Sequence, residues 1–335
     1  MNKHITPEIL KSRQHFEILD GLRGIAALAI VIFHFMEWIY TDPSKNFIGH
    51  GFLAVDFFFC LSGFVIAYAY DSRIGEMGII EFFKSRVIRL HPLVVLGAIL
   101  GLLGFLFDPF SGHPEVYSAG KLILIFVCSI FLIPYPVMPD RSFNVFGLNA
   151  PSWSLFWEYV ANIVYALILH KLPRRALIVL TLIAAVILCS VGLRAGNLLG
   201  GWNGETFWDG GARILYSFSA GLLIYRSNWI TELLIVLVYF PLLVSLGAGS
   251  SLSSGSRKLC TFSGDISYPL YMTHYAVIWI FGNYLASQKP ESTELTIVVI
   301  LGTIFLTGFA YATMVLYDIP FRRYLNNKRL KSLKP

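Results

Sequence analysis

The chain has 335 residues, of which 56% are hydrophobic and only 14% are charged. Soluble globular domains carry about 25% charged residues, so this composition excludes a chain that folds wholly in water. The formal net charge of +6 includes a basic tail after Pro320. Nothing in the chain resembles a nucleic-acid-binding module, so a nucleic-acid partner is not expected.

Ten apolar segments follow one another along the chain, and most are close to the ~20 residues that cross a hydrocarbon core ~30 Å thick. They cover residues 24–41, 51–70, 92–107, 121–138, 154–170, 174–193, 211–225, 229–249, 268–287 and 293–317. We therefore predict an all-α integral membrane protein with about ten transmembrane helices in one bundle. Because no internal repeat or soluble appendage is evident, residues 1–335 are expected to form a single transmembrane domain.

The distribution of basic residues predicts the orientation of the bundle, because lysine and arginine beside apolar segments mark the cytoplasmic side. They occur in the N-terminal stretch 1–22, in the loop 71–91 and in the tail 321–335. Both termini and this loop are therefore predicted to be cytoplasmic. Basic clusters at a membrane surface also bind anionic headgroups, so membrane lipids are expected partners.

The basic loop 171–175 fits this pattern poorly, because strict alternation through ten spans places it outside. Two explanations remain open at this point. Either the loop is an exception to the rule, or one segment on each side of it fails to cross the membrane fully. Pro241 lies within the eighth segment and is able to break it into a re-entrant pair.

The first apolar segment, DGLRGIAALAIVIFH, begins with an arginine and contains a histidine, although both side chains are costly in lipid. Arg23 and His34 are eleven residues apart, which at about 100° per residue places them on one helix face. The rise between them is about 16 Å, so Arg23 is predicted at the cytoplasmic interface and His34 near mid-membrane. Glu37 lies on a neighbouring part of this face. The alternative is a histidine that only hydrogen-bonds within the bundle.

A second cluster of charge, KSRVIRLHP, precedes the third segment. Arg86 and Arg89 are i, i+3 neighbours on one face of a helix start, and Lys84 lies close by in the chain. Guanidinium groups bind phosphate in a bidentate manner, so these residues are candidates to hold a phosphorylated ligand from the cytoplasm. Ordinary anchoring of the helix by positive charge at the cytoplasmic surface is the alternative.

The segment PSWSLFWEYVAN carries a polar stripe on an otherwise apolar and aromatic helix. Ser154, Glu158 and Asn162 recur at i, i+4 and i+8, so the stripe must face protein or water. These polar side chains either take part in a reaction or form hydrogen bonds between helices. Trp153 and Trp157 are either aromatic residues of the membrane interface or the wall of a substrate pocket.

Two further segments place polar groups within the bundle. Tyr271 and His274 are i, i+3 neighbours in DISYPLYMTHY, and Asp56 adds a carboxylate to the second segment. In that segment, Ser62-Gly63 permits a bend or a close approach of helices. The four cysteines show no metal-ligand spacing, so no metal site is expected.

Taken in order, these pieces resemble the membrane-bound acyltransferase-3 family over residues 16–325. The resemblance rests on Arg23-x10-His34, FFFCLSGF, the Arg86/Arg89 pair before Pro92, SWSLFWE, SYPLYMTHY, and the acidic-x-Pro-x-Arg pattern of Asp318, Pro320 and Arg322. No single motif is specific, whereas the ordered set is.

The resemblance implies an enzyme that moves acyl groups, most often acetyl, from cytoplasmic acyl-coenzyme A (acyl-CoA) to hydroxyl groups of sugars and other acceptors. Bacterial members modify lipopolysaccharide, exopolysaccharide or lipid-linked glycans at the outer face of the cytoplasmic membrane. For this chain it implies acetyl-CoA as the donor, a glycan or lipid-linked sugar as the acceptor, and a multi-pass location in the cytoplasmic membrane.

The chemistry of acyl transfer gives the candidate residues their expected roles. An alcohol is a poor nucleophile at neutral pH, and a neutral imidazole can remove its proton, which makes His34 the candidate general base. The phosphates of coenzyme A would be held by Lys84, Arg86 and Arg89. The other predicted site residues are Arg23 and Glu158, taken as catalytic, and Trp153, Ser154, Tyr271, His274 and Asp56, taken as the oxyanion and substrate pocket.

Several alternatives stay open at the level of sequence. Glu158 either orients His34 or holds an acceptor hydroxyl, and N-acyl transfer suits the same residues. A proton-coupled transporter would use His34, Glu37, Asp56 and Glu158 as an intramembrane relay, although no inverted repeat is evident. A non-catalytic assembly or sensor protein would tolerate loss of His34 and of both Arg86 and Arg89.

Overall fold

The computed structural model describes residues 16–40, 42, 45–110, 116–227 and 254–332. The helices within these ranges are α1 (Glu17–Ile39), α2 (Ala54–Tyr70), α3 (Ile74–Met77), α4 (Ile79–Leu106), α5 (Ala119–Ile130), α6 (Ser152–Leu167), α7 (Arg174–Ala195), α8 (Phe207–Arg226), α9 (Ser254–Thr273), α10 (Tyr275–Gln288), α11 (Ser292–Thr313) and α12 (Ile319–Ser332). The β-pairing within the same ranges is limited to an isolated bridge between Asn144 and Asn203. The predicted all-α fold is confirmed.

Five helical stretches are long and apolar enough to cross a membrane. They are Glu17–Ile39, Gly51–Tyr70, Ile79–Leu106, Arg174–Ala195 and Ser292–Lys331. The chain is thus a helical membrane protein, but ten spans are not confirmed. Helices α6 and α10 have only 16 and 14 residues, and the eighth predicted segment with Pro241 lies outside the described residues.

The direction of α1 defines two ends of the bundle, named after the predicted orientation. The inner end is where α1 begins, and the outer end is where it finishes. Helix α9 runs parallel to α1. Near the inner end Arg257 of α9 pairs with Glu17 at 2.8 Å, and near the outer end the rings of His34 and His274 stack 5.4 Å apart.

The basic loop 171–175 begins at the inner end. Arg226, the last residue of α8, donates to the carbonyl groups of Leu169 and Leu172 at 3.0 and 3.1 Å. It also pairs with Asp71, which directly follows α2, at 2.7 Å. The loop therefore lies on the same side as the end of α2. This position matches its positive charge and favours the explanation in which an earlier segment fails to cross.

The fourth predicted segment, 121–138, is such a segment. Its helix α5 has only 12 residues, which is too short for a ~30 Å core at a rise of about 1.5 Å per residue. The residues that flank α5 meet at the outer end, where the Tyr117 hydroxyl donates to Asp140. The chain therefore enters and leaves α5 on the same side of the bundle.

Two glycines let α2 and α8 pack with their backbones in contact. A methyl group on Gly63 would lie 2.1 Å from the carbonyl oxygen of Phe218, and one on Gly221 would lie 2.0 Å from that of Cys60. Any side chain at either position would push the helices apart. The close helix approach predicted at Gly63 is confirmed, and it fixes the position of α2 beside the candidate site.

Helix α11 continues through a π-helical turn, Met314–Asp318, into α12. Turns of this kind often occur at functional sites. Helix α12 is tied to the start of α4, because Arg329 pairs with Glu81 at 2.8 Å. The turn thereby brings Asp318 and the following residues beside the arginines of α4.

Candidate active site

A cavity of about 370 Å³ lies between α1, α2, α4, α6, α9, the π-helical turn and the start of α12. Six of the eleven predicted site residues line it, namely Arg23, Arg86, Arg89, Ser154, Glu158 and Tyr271. The other five, His34, Lys84, Trp153, His274 and Asp56, lie outside its lining. The fold therefore gathers the predicted phosphate-binding arginines and the polar stripe of α6 in one place.

The inner end of the cavity is charged. Three of its arginines are each paired with a carboxylate, the pairs being Arg86–Glu158 at 2.8 Å, Arg322–Asp318 at 2.5 Å and Arg23–Asp20 at 3.2 Å. The fourth, Arg89, also lines the cavity and makes no hydrogen bond or ion pair within the described part of the chain. An anion in this cavity would therefore meet Arg89 as an uncompensated cation.

Two tyrosines hold the arginine-bearing turn of α4 in place. The Tyr268 hydroxyl of α9 donates to the Leu90 carbonyl at 2.7 Å, and the Tyr317 hydroxyl of the π-helical turn donates to the Pro92 carbonyl at 3.1 Å. Both bonds lie within a turn of Arg89. They fix the direction in which α4 presents its arginines to the cavity.

Lys84 lies on a different face of α4 from these arginines. It is two residues from Arg86, or about 200° around α4. Its ammonium group pairs with Glu81 at 2.6 Å, and its side chain is 50% exposed. Of the three basic residues predicted to hold phosphate, Arg86 and Arg89 line the cavity, whereas Lys84 lies outside it.

Toward the outer end the cavity becomes apolar. Val55, Phe58 and Phe59 of α2 line this part together with Leu155 of α6. From Val65 to Val55 the rise along α2 is about 15 Å. A single cavity therefore passes from a group of arginines to aromatic and aliphatic side chains over that length.

Two hydroxyl groups lie at the apolar end. The oxygens of Ser154 and Tyr271 are 2.7 Å apart, and both approach the Pro151 carbonyl, at 3.0 and 3.4 Å. Two hydroxyls carry two protons, and here these protons are shared between each other and Pro151. Either hydroxyl can serve an oxyanion only by turning away from its present acceptor.

Glu158 organises the charged end rather than the predicted base. Its Oε1 atom accepts hydrogen bonds from Arg86 and from the Ser62 hydroxyl, both at 2.8 Å. It does not orient His34, whose carboxylate partner is Glu37. Ser62 had been noted only for helix packing, and its polar side chain on an apolar segment was the available signal.

His34 lies near the outer end of α1 with its tautomer fixed. Its Nδ1 atom is 2.6 Å from Glu37 Oε1, and since a carboxylate only accepts, Nδ1 carries the proton. The neutral ring therefore keeps its lone pair on Nε2, as the base of a hydrolytic triad does. The side chains of His34 and Glu37 are 19% and 33% exposed.

His274 is a fully buried ring that stacks on His34. Its Nδ1 atom lies 3.1 Å from the Leu270 carbonyl and 2.8 Å from the Tyr271 carbonyl, so Nδ1 is protonated here too. Its Nε2 atom has no hydrogen-bond partner among the described residues. His274 thus supports one side of the His34 ring as an uncharged surface.

Asp56 and Trp153 both contact the buried side chain of Arg213. Asp56 accepts two hydrogen bonds from Arg213, at 3.2 and 2.7 Å, and the Arg213 guanidinium lies 5.1 Å from the Trp153 ring centroid. The Arg213 side chain is 1% exposed. Both residues predicted for the substrate pocket therefore fasten α2 to α8 and α6.

A loop arginine closes the outer end beyond His34. Arg141 is 5% exposed, and its guanidinium lies 4.2 Å from the Trp279 ring centroid. Trp279 packs on Tyr275, and Tyr275 packs on His34, with ring centroids 5.4 and 4.9 Å apart. Burial lowers the pKa of Arg141 to about 10, which leaves the group protonated at neutral pH. Burial and the hydrogen bond to Asp140 both raise the pKa of the nearby Tyr117.

Sequence reasoning missed two arginines that shape this region. Arg213 lies within the seventh apolar segment, and an ionisable residue there was itself a signal of a functional or paired site. Arg141 gave no comparable signal, because it lies in a polar loop and reaches Trp279 only through the fold.

The residues proposed for a transporter relay are divided among three separate pairs. These are His34–Glu37, Asp56–Arg213 and Glu158–Arg86. Hydrogen bonds among the described residues do not connect one pair with another. The geometry therefore separates a charged cavity from a histidine site.

The chain is a helical membrane bundle with a cationic cavity and, apart from it, a histidine oriented by a carboxylate. Comparison with known proteins identifies its class as a membrane acyltransferase. An acyltransferase domain model matches residues 16–249, which is more than half of the chain. The chain belongs to the acyltransferase-3 family.

Three curated proteins are similar to parts of the chain. "Protein 2 in picA locus" of Rhizobium radiobacter is 35% identical over 184 residues, which cover 52% of this chain and 93% of that protein. "Acyltransferase MdmB" of Streptomyces mycarofaciens is 30% identical over 170 residues, with coverage of 48% and 41%. "Putative O-acetyltransferase SACOL0978" of Staphylococcus aureus is 36% identical over 89 residues, with coverage of 26% and 13%. No solved structure matches the chain.

Proposed function

We propose that this protein is an integral membrane O-acyltransferase that moves an acetyl group from cytoplasmic acetyl-CoA to a sugar hydroxyl. The acceptor is a cell-surface or lipid-linked glycan at the outer face of the cytoplasmic membrane, and His34 is the general base. Membership of the acyltransferase-3 family supports acyl transfer as the reaction. The change from a charged to an apolar end along the cavity supports acetyl-CoA as the donor.

The observation that carries the proposal is the change from charge to apolar surface along one cavity. Coenzyme A has phosphates at one end and the thioester at the other, joined by an arm of roughly 15–20 Å when extended. The cavity matches this order, with Arg86, Arg89 and Arg322 at the inner end and Phe58 and Val55 at the outer end. Arg89 offers the uncompensated charge that a phosphate would neutralise.

The His34–Glu37 pair supports the proposed base. Its geometry leaves Nε2 as the free proton acceptor, and a bound alcohol needs such a group in the transition state. When His34 takes up a proton, Glu37 at 2.6 Å stabilises the resulting charge. The Ser154 and Tyr271 hydroxyls at the apolar end of the cavity are the candidate oxyanion donors.

The assignment of a sugar hydroxyl as acceptor draws on the position of His34 and on the relatives. His34 lies at the outer end, away from the arginines, so donor and acceptor would approach the reacting atoms from opposite ends. One of the three similar proteins carries the name "Putative O-acetyltransferase SACOL0978". An oxygen acceptor is the class in which a general base contributes most, since an alcohol must lose its proton.

The test uses membranes that contain the full chain, incubated with radiolabelled acetyl-CoA. We expect label in the glycan fraction that mild alkali releases, because alkali cleaves O-acetyl esters but leaves N-acetyl amides intact. The His34→Ala variant should lose this signal while still binding coenzyme A. Alkali-stable label would overturn O-transfer, no label would overturn the donor and acceptor, and an active His34→Ala variant would overturn the base.

A further inference from the structure

The apolar end of the cavity has a wall that limits what can occupy it. We propose that Phe58 is this wall, that it sets the length of the acyl group, and that the protein therefore takes short-chain acyl-CoA donors. The inference rests on the proposed donor and concerns the part of the donor that reaches the apolar end.

Phe58 differs from its two neighbours in the FFF run of α2. It lines the cavity and is half-buried, whereas Phe57 and Phe59 are each 3% exposed. Phe57 packs in a cluster with Leu19 of α1, and Phe59 lies edge-on to Trp153 with ring centroids 6.1 Å apart. Phe57 is thus committed to the fold. Phe58 and Phe59 both line the cavity, and Phe58 is the more accessible of the two.

The position of Phe58 is fixed on several sides. It packs against three hydrophobic clusters, which contain Val31 of α1, Leu61 of α2 and Leu155 of α6 respectively. A side chain held by three clusters cannot swing aside without disturbing all of them. Because side chains on a helix lean toward its N-terminus, the Phe58 ring extends toward Val55, which lines the cavity about one turn farther out, and an acyl group that advances along the cavity would stop against these two side chains.

The charged part of the cavity lies only one helical turn away. Ser62 is four residues after Phe58, or about 6 Å along α2, and its hydroxyl donates to Glu158 at 2.8 Å. The apolar section between Glu158 and the wall is therefore short. It suits an acyl group of few carbons rather than a fatty-acyl chain.

The same ring belongs to the layer that separates the cavity from His34. Phe58 and Tyr271 have ring centroids 5.9 Å apart, Tyr271 and His274 are 6.0 Å apart, and His274 and His34 are 5.4 Å apart. Shortening Phe58 would open space toward this layer. The carbonyl carbon of a longer acyl group could then occupy the place that an acetyl group takes in the wild type.

The test measures the affinity of the purified full chain for coenzyme A, acetyl-CoA and hexanoyl-CoA. Free coenzyme A carries the same phosphates without an acyl group, so it reports both folding and the charged end. We expect the wild type to prefer acetyl-CoA over hexanoyl-CoA. Phe58→Ala should raise the ratio of hexanoyl-CoA to acetyl-CoA affinity about tenfold or more, as expected when room for several methylene groups is created. Phe58→Leu should raise it less.

Val65→Ala is the matched control, because Val65 is also half-buried on the cavity side of α2 but lies near the charged end. It should leave the ratio unchanged. Two results would overturn the proposed role of Phe58. One is an unchanged ratio of hexanoyl-CoA to acetyl-CoA affinity in both Phe58 variants while they still bind coenzyme A. The other is equal affinity of the wild type for acetyl-CoA and hexanoyl-CoA. Failure of the wild type to bind coenzyme A at all would instead overturn the proposed donor, and the wall with it.

Discussion

The inner end of the cavity collects arginines and carboxylates from five helices and the π-helical turn. The layer around His34 instead consists of imidazole and aromatic rings, with Glu37 at its edge. Side chains at the inner end are paired but leave Arg89 open to a ligand. In the outer layer, each imidazole has its Nδ1 proton committed, and its Nε2 atom has no hydrogen-bond partner among the residues that the structure describes.

This difference indicates that the two regions do different work. The inner end holds three arginines in place by ion pairs and leaves the charge of Arg89 for a ligand, and this arrangement is suited to binding an anion. A histidine held in one tautomer among uncharged rings is suited to moving a proton. The rings of Phe58 and Tyr271 lie between them, so each region can be altered by mutation without direct contact with the other.

The largest effect is expected for His34→Gln, which removes the proposed base from the outer layer. Acetyl transfer should fall by about a thousandfold, within the range of general base catalysis, while the affinity for coenzyme A stays unchanged. Rates with radiolabelled acetyl-CoA and a separate binding titration measure the two quantities. His50→Gln is the control, since His50 is an exposed histidine near the outer end. Equal losses in both variants would contradict a specific role of His34.

Asp56→Asn tests whether Asp56 supports the fold rather than a substrate. Removing one partner of a buried ion pair costs about 3–5 kcal/mol, because Arg213 would be left as an unpaired buried charge. Thermal unfolding of the purified chain should show this loss, and the folded fraction should bind coenzyme A normally. Asp42→Asn is the control, as the Asp42–Lys45 pair is exposed and 3.8 Å long and is worth less than about 1 kcal/mol. Wild-type stability of Asp56→Asn would refute the structural role.

Glu37→Gln is expected to act on the rate alone. The amide oxygen of the glutamine can still accept the hydrogen bond from His34 Nδ1, but it cannot stabilise the protonated imidazole. Acetyl transfer should therefore fall by about a hundredfold. This is less than the ~10⁴-fold loss for a buried triad carboxylate, because the Glu37 side chain is 33% exposed. A steady-state assay at saturating acetyl-CoA measures the effect. A change in coenzyme A affinity of similar size would place Glu37 in donor binding instead.

The smallest effect is expected for Arg89→Gln, which acts on the charged end. Loss of one charge-assisted contact should weaken coenzyme A binding about tenfold. Lys84→Gln is the matched control, since Lys84 lies on the same helix but outside the cavity, and its affinity should change less than about twofold. Titration of both variants with coenzyme A separates them. If Lys84→Gln weakened binding as much as Arg89→Gln, general surface charge would explain the arginines.

The sequence was sufficient to predict the helical fold and much of the cavity. Ionisable residues in apolar segments are rare enough to point to a site, and helical spacing placed Arg86 and Arg89 on one face. Spacing also brought Arg23, Ser154, Glu158 and Tyr271 into consideration, and each lines the cavity.

The remaining features depend on contacts between residues that are distant in the chain. Asp56 resembled a pocket carboxylate until its partner, 157 residues away, was known. Hydropathy could not distinguish α5 from a full span, since its failure to cross follows from the contact between Tyr117 and Asp140. Glu37, rather than Glu158, orients His34, because a partner three residues away on the same helix needs no second element.

The central claim is that donor binding and proton removal occur in separate parts of the site. The most direct test measures coenzyme A affinity and acetyl transfer rate in the wild type, His34→Gln, Arg89→Gln and the double variant. The account predicts that Arg89→Gln weakens coenzyme A binding by the same factor with or without His34, and that His34→Gln leaves that affinity unchanged. A loss of coenzyme A affinity in His34→Gln equal to that in Arg89→Gln would contradict it.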